Sequence, residues 1–301
     1  MRPEGAVTLP ARVKAHVALT KPRIVELLLA TAIPTAFLAA DGLPPLVPTL
    51  GVLIGGSLAA GAANTFNSVY DRDIDAVMRR TFHRPAAMGV VGVQAGIWQG
   101  VLLTLASASV LLVMANALSA LLAIVAIAFY AIGYTMLLKR RTPQNIVWGG
   151  AAGCMPVLIA WAAITGSLTW TPVVLFLVVF FWTPPHYWPL AMRFRDDYAA
   201  AGVPMLPVVR TDHQVTTSII RYAWVMVAVS LLLVVVAPMG WVYGIGAAVL
   251  GAAFLAQTYL LRARVDGDAP DVSAVAMRLF HGSITYLALL FLLVALEPFV
   301  P

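Results

Sequence analysis

Apolar runs of roughly 17 to 24 residues recur along this 301-residue chain, and they restrict its fold more than any other feature. About 20 helical residues cross a hydrocarbon core about 30 Å thick, and only a helix or a closed barrel satisfies its backbone there. The runs number nine, at residues 24–40, 46–69, 93–114, 118–138, 145–165, 171–191, 218–237, 241–261 and 275–296. Gly/Pro-bearing junctions such as Gly42-Leu43-Pro44-Pro45, Gly166-Ser167 and Pro238-Met239-Gly240 separate several of them. With 61% hydrophobic and 11% charged residues, the chain lacks the polar surface that a soluble domain of this length needs. The expected fold is therefore all-α: an integral membrane protein of nine transmembrane helices, forming one polytopic domain over residues 1–301, with residues 1–20 as a cytoplasmic N-terminal segment.

Charge placement supports that count. Short loops rich in Lys and Arg stay on the cytoplasmic side. Arg2, Arg12, Lys14, Lys21 and Arg23 precede the first run; Arg72, Arg79, Arg80 and Arg84 follow the second; Lys139, Arg140 and Arg141 follow the fourth. Arg193, Arg195, Arg210 and Arg221 surround the loop after the sixth run, and Arg262, Arg264 and Arg278 the loop after the eighth. These five segments hold all 19 basic residues, which predicts an odd number of helices, the N-terminus inside and the C-terminus outside. The net charge of +6 is then a topology signal and calls for no nucleic-acid partner. Cys154 is the one cysteine, which excludes a disulfide framework and a thiolate metal cluster. No cleavable signal sequence is evident, because the basic N-terminal stretch runs straight into a hydrophobic run with its own place in the topology; a bacterial or archaeal inner (cytoplasmic) membrane is the expected location.

The 13 acidic residues are informative because they are few. Asp71, Asp73 and Asp75 follow the second run, and Asp196 and Asp197 follow the sixth, both on the cytoplasmic side. Asn67, Asp71 and Asp75 stand four residues apart, so a helix continuing through them would carry three oxygen-bearing side chains on one face. Hard cations such as Mg²⁺ take carboxylate and amide oxygens and keep positions open for substrate phosphates. A solvated helix end with local pairs to Arg72, Arg79 and Arg80 is the plainer alternative. Asn67 at the membrane boundary and a second acidic pair on the same side favour a site.

The segment Asn67-Ser-Val-Tyr-Asp71-Arg-Asp-Ile-Asp75, with Arg80-Thr-Phe-His-Arg84-Pro85 after it, resembles the first signature of the intramembrane aromatic prenyltransferase (UbiA-type) superfamily. Leu19-Thr-Lys21-Pro22-Arg23-Ile24, Tyr134-Thr-Met-Leu-Leu-Lys139, Asn145-Ile146 with Gly149-Gly150, Trp182-Thr-Pro-Pro-His186-Tyr-Trp-Pro-Leu-Ala191 and Asp197-Tyr198 bring it closest to the heme O synthase branch. One departure is visible: where the superfamily often has Asp-x3-Asp, Met192 and Arg193 stand four residues before Asp196 and Asp197. Adjacent helical residues point about 100° apart, so one of the two, Asp197 in preference to Asp196, is expected at a metal.

The resemblance implies an Mg²⁺-dependent enzyme with its active site at the cytoplasmic face of the bundle, transferring the farnesyl group of farnesyl diphosphate to a vinyl group of heme B. It assigns Mg²⁺ to Asn67, Asp71, Asp75 and Asp197, phosphate contacts to Arg84, Lys139, Arg195 and Arg72, and the acceptor side to His186 and Tyr134. Membrane lipid, and heme A synthase or oxidase assembly proteins, are the implied partners. Glu26 and Asn145 are polar residues of the membrane region without an assigned role. A quinone-type prenyltransferase would share the diphosphate site but not the Pro-Pro-His-Tyr-Trp segment, and a secondary transporter would carry its acids nearer the midplane.

Overall fold

In the computed structural model, residues 9–237 and 239–300 are described, all with their side chains except Arg23, Ile24, Glu26 and Leu27. The expectations for Arg2, Arg23 and Glu26, and for the placement of the terminal Pro301, lie outside that set.

The described residues form helices joined by short connections, except for the turn-rich segment 78–92. A short helix α1 (Leu9–Leu19) leads into α2 (Pro22–Ala40) and α3 (Leu46–Tyr70), followed by the single turn α4 (Arg72–Val77). Helix α5 (Val93–Met114) comes next, and α6 (Ala117–Ala128) runs directly into a π-helical stretch, Phe129–Leu138. After α7 (Asn145–Thr165) and α8 (Trp170–Arg193) come two short pieces, α9 (Arg195–Ala200) and α10 (Leu206–Val209). Helices α11 (Asp212–Val236), α12 (Trp241–Asp266) and α13 (Val272–Leu296) complete the bundle. Eight of these are long and apolar enough to cross a membrane, and α2 contributes a shorter apolar helix, Leu28–Ala40.

The helices extend the apolar runs into their polar flanks. Helix α11 begins at Asp212 instead of 218, because Thr211 and Gln214 form a reciprocal capping box that satisfies the first free N–H groups. Helix α12 runs on to Asp266, where Arg262 Nε donates to the Asp266 carboxylate at 2.6 Å across one turn.

Successive helices pack side by side, and α13 returns against α2, which closes the ring; α7 packs on α2, α3 and α6, α8 packs on α11 and α13, and the two lie against each other. The largest apolar core fills the space among α7, α8, α11, α12 and α13. A second core joins α3, α5, α6 and α7, where small residues let backbones approach. A Cβ added at Gly100 would stand 2.6 Å from the Phe66 ring, so an alanine there would force that ring to move. A third cluster, including Ile74, Met78, Ile146, Tyr198 and Met205, seals one end of the bundle.

The five basic segments meet at that end. Lys21 bonds Asn67, Lys139 and Arg140 bond Asp71, Arg80 bonds Tyr198, and Arg262 bonds the His213 carbonyl.

Candidate active site

Helix α3 ends at Tyr70, so the stripe Asn67, Asp71 and Asp75 is carried across a break between α3 and α4. The helical register survives the break: Asp71 N–H donates to Asn67 O at 2.9 Å and Asp75 N–H to Asp71 O at 2.8 Å. All three are buried, whereas the Asp73 side chain is 60% exposed. Arg140 forks onto both Asp73 oxygens at 2.7 Å, and those hydrogen bonds hold the Asp73 carboxyl down to about pKa 2.

Each buried stripe residue has a cationic partner. Lys21 Nζ donates to Asn67 Oδ1 at 2.6 Å, and Asn67 Nδ2 donates to Asp71 Oδ2 at 2.7 Å and to Thr135 Oγ1 at 3.2 Å. Lys139 pairs with Asp71, whose carboxylate is wholly enclosed, and Arg84 binds both oxygens of Asp75 at 2.9 and 2.8 Å. Asn145 is buried at the start of α7 and donates to the Lys139 carbonyl at 3.0 Å, so it anchors the backbone that presents Lys139. Lys21 has left-handed backbone, φ 52°, at the junction of α1 and α2. Burial, followed by the nearby charges of Arg84 and Lys139, pulls its amine down to about pKa 7.

Of these side chains Lys21, Asn67, Asp75, Arg84 and Lys139 open on a cavity of about 430 Å³, whereas Asp71 is enclosed behind them. Its charged lining consists of Lys21, Arg80, Arg84 and Lys139 against the single carboxylate of Asp75, which makes that end a receptor for an anion carrying several charges. Tyr130 and Tyr134 border these charges, and the lining beyond them is aromatic and apolar, with Trp182, His186 and Phe280. A smaller apolar cavity of about 130 Å³ lies among α2, α3, α6 and α7, and Leu28, Tyr130 and Gly153 line both spaces. Tyr134 is seated over Gly149, where any Cβ would collide with its ring. By type, the oxygen donors of Asn67, Asp71 and Asp75 suit a hard divalent cation that also takes phosphate oxygens, but here Lys21 holds the Asn67 oxygen, Lys139 and Arg140 hold Asp71, and Arg84 holds both oxygens of Asp75, so a cation would have to displace these partners. Among the described residues, no three His, Cys, Asp or Glu side chains stand close enough to enclose an ion by themselves.

The second acidic cluster is placed differently. Asp196 is exposed and Asp197 half-buried, and the α9 residue lining the cavity is their neighbour Tyr198, whose hydroxyl meets Tyr187 at 2.8 Å and Arg80 at 3.0 Å. Arg195 is engaged by Asp212, and Arg72 is exposed, with its guanidinium on the Val69 carbonyl at 3.1 Å. Lys21, Arg80 and Tyr198 are among the cavity residues to which the sequence assigned no role. A buried aromatic one position beyond an acidic pair is the signal for Tyr198, whereas the two cations look like any other basic residues at the membrane edge.

Known proteins resemble this chain in sequence and in fold. The model of the UbiA prenyltransferase family matches residues 28–296. A protoheme IX farnesyltransferase from Streptomyces avermitilis is 52% identical over 289 residues, covering 96% of this chain and 95% of the relative. One from Nocardioides sp. is 54% identical over 285 residues, covering 94% and 90%. Among solved structures, a UbiA homolog from Archaeoglobus fulgidus bound to DMAPP and Mg²⁺ superposes with a TM-score of 0.65 at 18% identity, covering 93% of this chain and 98% of that one. A structure described for digeranylgeranylglyceryl phosphate synthase gives a TM-score of 0.76 at 14% identity, covering 95% and 98%.

Proposed function

The chain belongs to the UbiA prenyltransferase family, and from that premise we propose that it transfers the farnesyl group of farnesyl diphosphate to a vinyl group of heme B, giving heme O and diphosphate. Relatives about half identical over nearly their whole length bear the name of that activity. The observation that carries the proposal here is the cavity with four cationic side chains at one end and an aromatic wall with His186 at the other.

The chemistry follows from that division. The C1–O bond of farnesyl diphosphate breaks, and its electron pair leaves with the diphosphate. The terminal vinyl carbon bonds to C1, positive charge passes to the carbon beside the pyrrole, and water adds there with loss of a proton to give the hydroxyethylfarnesyl group. Lys21, Arg84 and Lys139 meet the charge that grows on the leaving diphosphate, and Arg80 stands beside them. On this proposal Asn67, Asp71 and Asp75 hold Mg²⁺, which supplies Lewis-acid stabilisation of the leaving group when bound. For Asp197 to join them, α9 would have to turn by about the 100° that separates it from Tyr198. The faces of Tyr130, Tyr134, Trp182 and Phe280 suit an allylic cation, and the apolar cavity beyond Tyr130 gives the prenyl tail a water-free space.

Purified protein supplied with Mg²⁺, farnesyl diphosphate and heme B is expected to yield a more hydrophobic heme, and EDTA to stop its formation. Product from 4-hydroxybenzoate but never from heme would transfer the chain to the quinone branch.

The chain is a multi-pass membrane protein, and we place it in the inner membrane with the polar end of the bundle in the cytoplasm. Counting α2 with the eight longer helices gives nine spans and an external C-terminus. A reporter that functions only in the cytoplasm is expected to be silent when fused at Pro301. Activity there would require an even number of spans.

A further inference from the structure

His186 lies in a clamp made by two helices. Its ring stacks on Trp182 of the same helix, with centroids 4.1 Å apart and planes at 14°, and on Phe280 of α13, at 4.6 Å and 25°. Ser283, one turn beyond Phe280 and fully buried, holds both partners: its carbonyl accepts from Trp182 Nε1 at 2.8 Å, and its hydroxyl lies 2.7 Å from His186 Nδ1.

The hydrogen bonds determine which imidazole nitrogen bears the proton. Ser283 Oγ stands 2.6 Å from the Phe280 carbonyl oxygen, which has no proton to give, so the one hydroxyl proton points there. Toward His186 the hydroxyl oxygen must then accept, and Nδ1 carries the N–H. The neutral ring keeps its lone pair on Nε2. That nitrogen has no hydrogen-bond partner among the described residues, and it is not sealed from solvent, because His186 lines the 430 Å³ cavity.

A metal-binding histidine shows this arrangement: one nitrogen donates to a fixed oxygen and the other presents a lone pair to an open space. We propose that His186 is the axial ligand of the acceptor's iron, binding through Nε2, and that Ser283 is the positioning residue that reserves this nitrogen for it. The proposal rests on heme B being the acceptor. The clamp leaves the ring little freedom to rotate, so the iron–nitrogen bond would fix the porphyrin relative to the diphosphate end of the same cavity. An imidazole on the iron also adds electron density to the macrocycle, which favours attack by the vinyl carbon and the cation formed beside the pyrrole.

The test titrates the detergent-purified full chain with heme B and with metal-free protoporphyrin, following the absorption spectrum. Wild type is expected to bind heme saturably with the Soret band of an imidazole-ligated iron. His186→Ala should bind heme at least tenfold more weakly and without that band, millimolar imidazole should restore it, and metal-free protoporphyrin should bind both proteins alike. Ser283→Ala should weaken heme binding a few-fold and Ser283→Thr should restore it. Farnesyl diphosphate binding by each variant checks that it is folded. If His186→Ala does not fold, His186→Met serves instead and must change the band, since a thioether would replace the imidazole. A variant that keeps the wild-type heme spectrum and affinity overturns the ligation while leaving the acceptor in place. A wild type that binds neither heme nor protoporphyrin overturns the acceptor, and the ligation with it.

Discussion

Asp71→Asn and Asp75→Asn are each expected to lower the rate of farnesyl transfer at least about a hundredfold, some 3 kcal/mol, while Asp73→Asn stays within about threefold of wild type. The three aspartates lie within five residues of one another but in unlike surroundings. Asp71 and Asp75 are enclosed against Lys139 and Arg84 at the cation-rich end of the bundle, where a lost carboxylate removes both a metal donor and the counter-charge of a phosphate-binding cation. Asp73 is 60% exposed and paired with Arg140, a pair worth at most about 1 kcal/mol in water. Steady-state rates with saturating heme decide it, alongside thermal unfolding in detergent to show that each variant is folded. Equal losses in all three, or full activity in Asp71→Asn, would remove the basis for the metal stripe.

The second large effect is expected to have opposite signs for activity and stability. Lys21→Gly should cut kcat/KM for farnesyl diphosphate by roughly tenfold to a hundredfold, the range of a lost charge-assisted hydrogen bond. The same change should leave the unfolding temperature unchanged or slightly higher. Lys21 pays for its position with left-handed backbone, worth about 1–2 kcal/mol in a residue with a Cβ, and with a buried amine close to Arg84 and Lys139. Glycine relieves both, against the loss of one hydrogen bond to Asn67. A parallel fall in stability and activity would make Lys21 a structural residue instead of a phosphate contact.

The membrane helices were legible because hydrocarbon thickness imposes a run length that composition cannot disguise; the third run coincides with α5, the second stops one residue short of the end of α3, and the ninth starts three residues into α13. Asn67, Asp71 and Asp75 were legible for a related reason, since a spacing of four survives even a helix that breaks between them. Arg195 and Asp197 were harder. Their direction depends on the phase at which the six-residue α9 leaves Phe194, and side-chain spacing carries no information about that phase. Lys21 and Arg80 were hidden by redundancy: every basic residue at the cytoplasmic edge satisfies the topology rule, and only packing separates those that turn inward.

The π-helical stretch after α6 makes the length of the chain there a variable of the active site. In an α-helix, Tyr134, Thr135 and Lys139 would stand about 40°, 140° and 180° around from Tyr130, scattering the set across the helix. With five-residue steps, as in the bond from Lys139 N–H to Tyr134 O at 2.8 Å, Tyr130 and Thr135 share one face, as do Tyr134 and Lys139. Two aromatic rings, the hydroxyl beside Asn67 and the cation on Asp71 are thereby gathered on one side. A π-turn differs from an α-turn by one inserted residue, so a deletion of one codon within positions 129–138 would preserve a good helix and dismantle this wall. A one-residue gap at this point between two related sequences marks a rebuilt site, even where every motif on either side is intact.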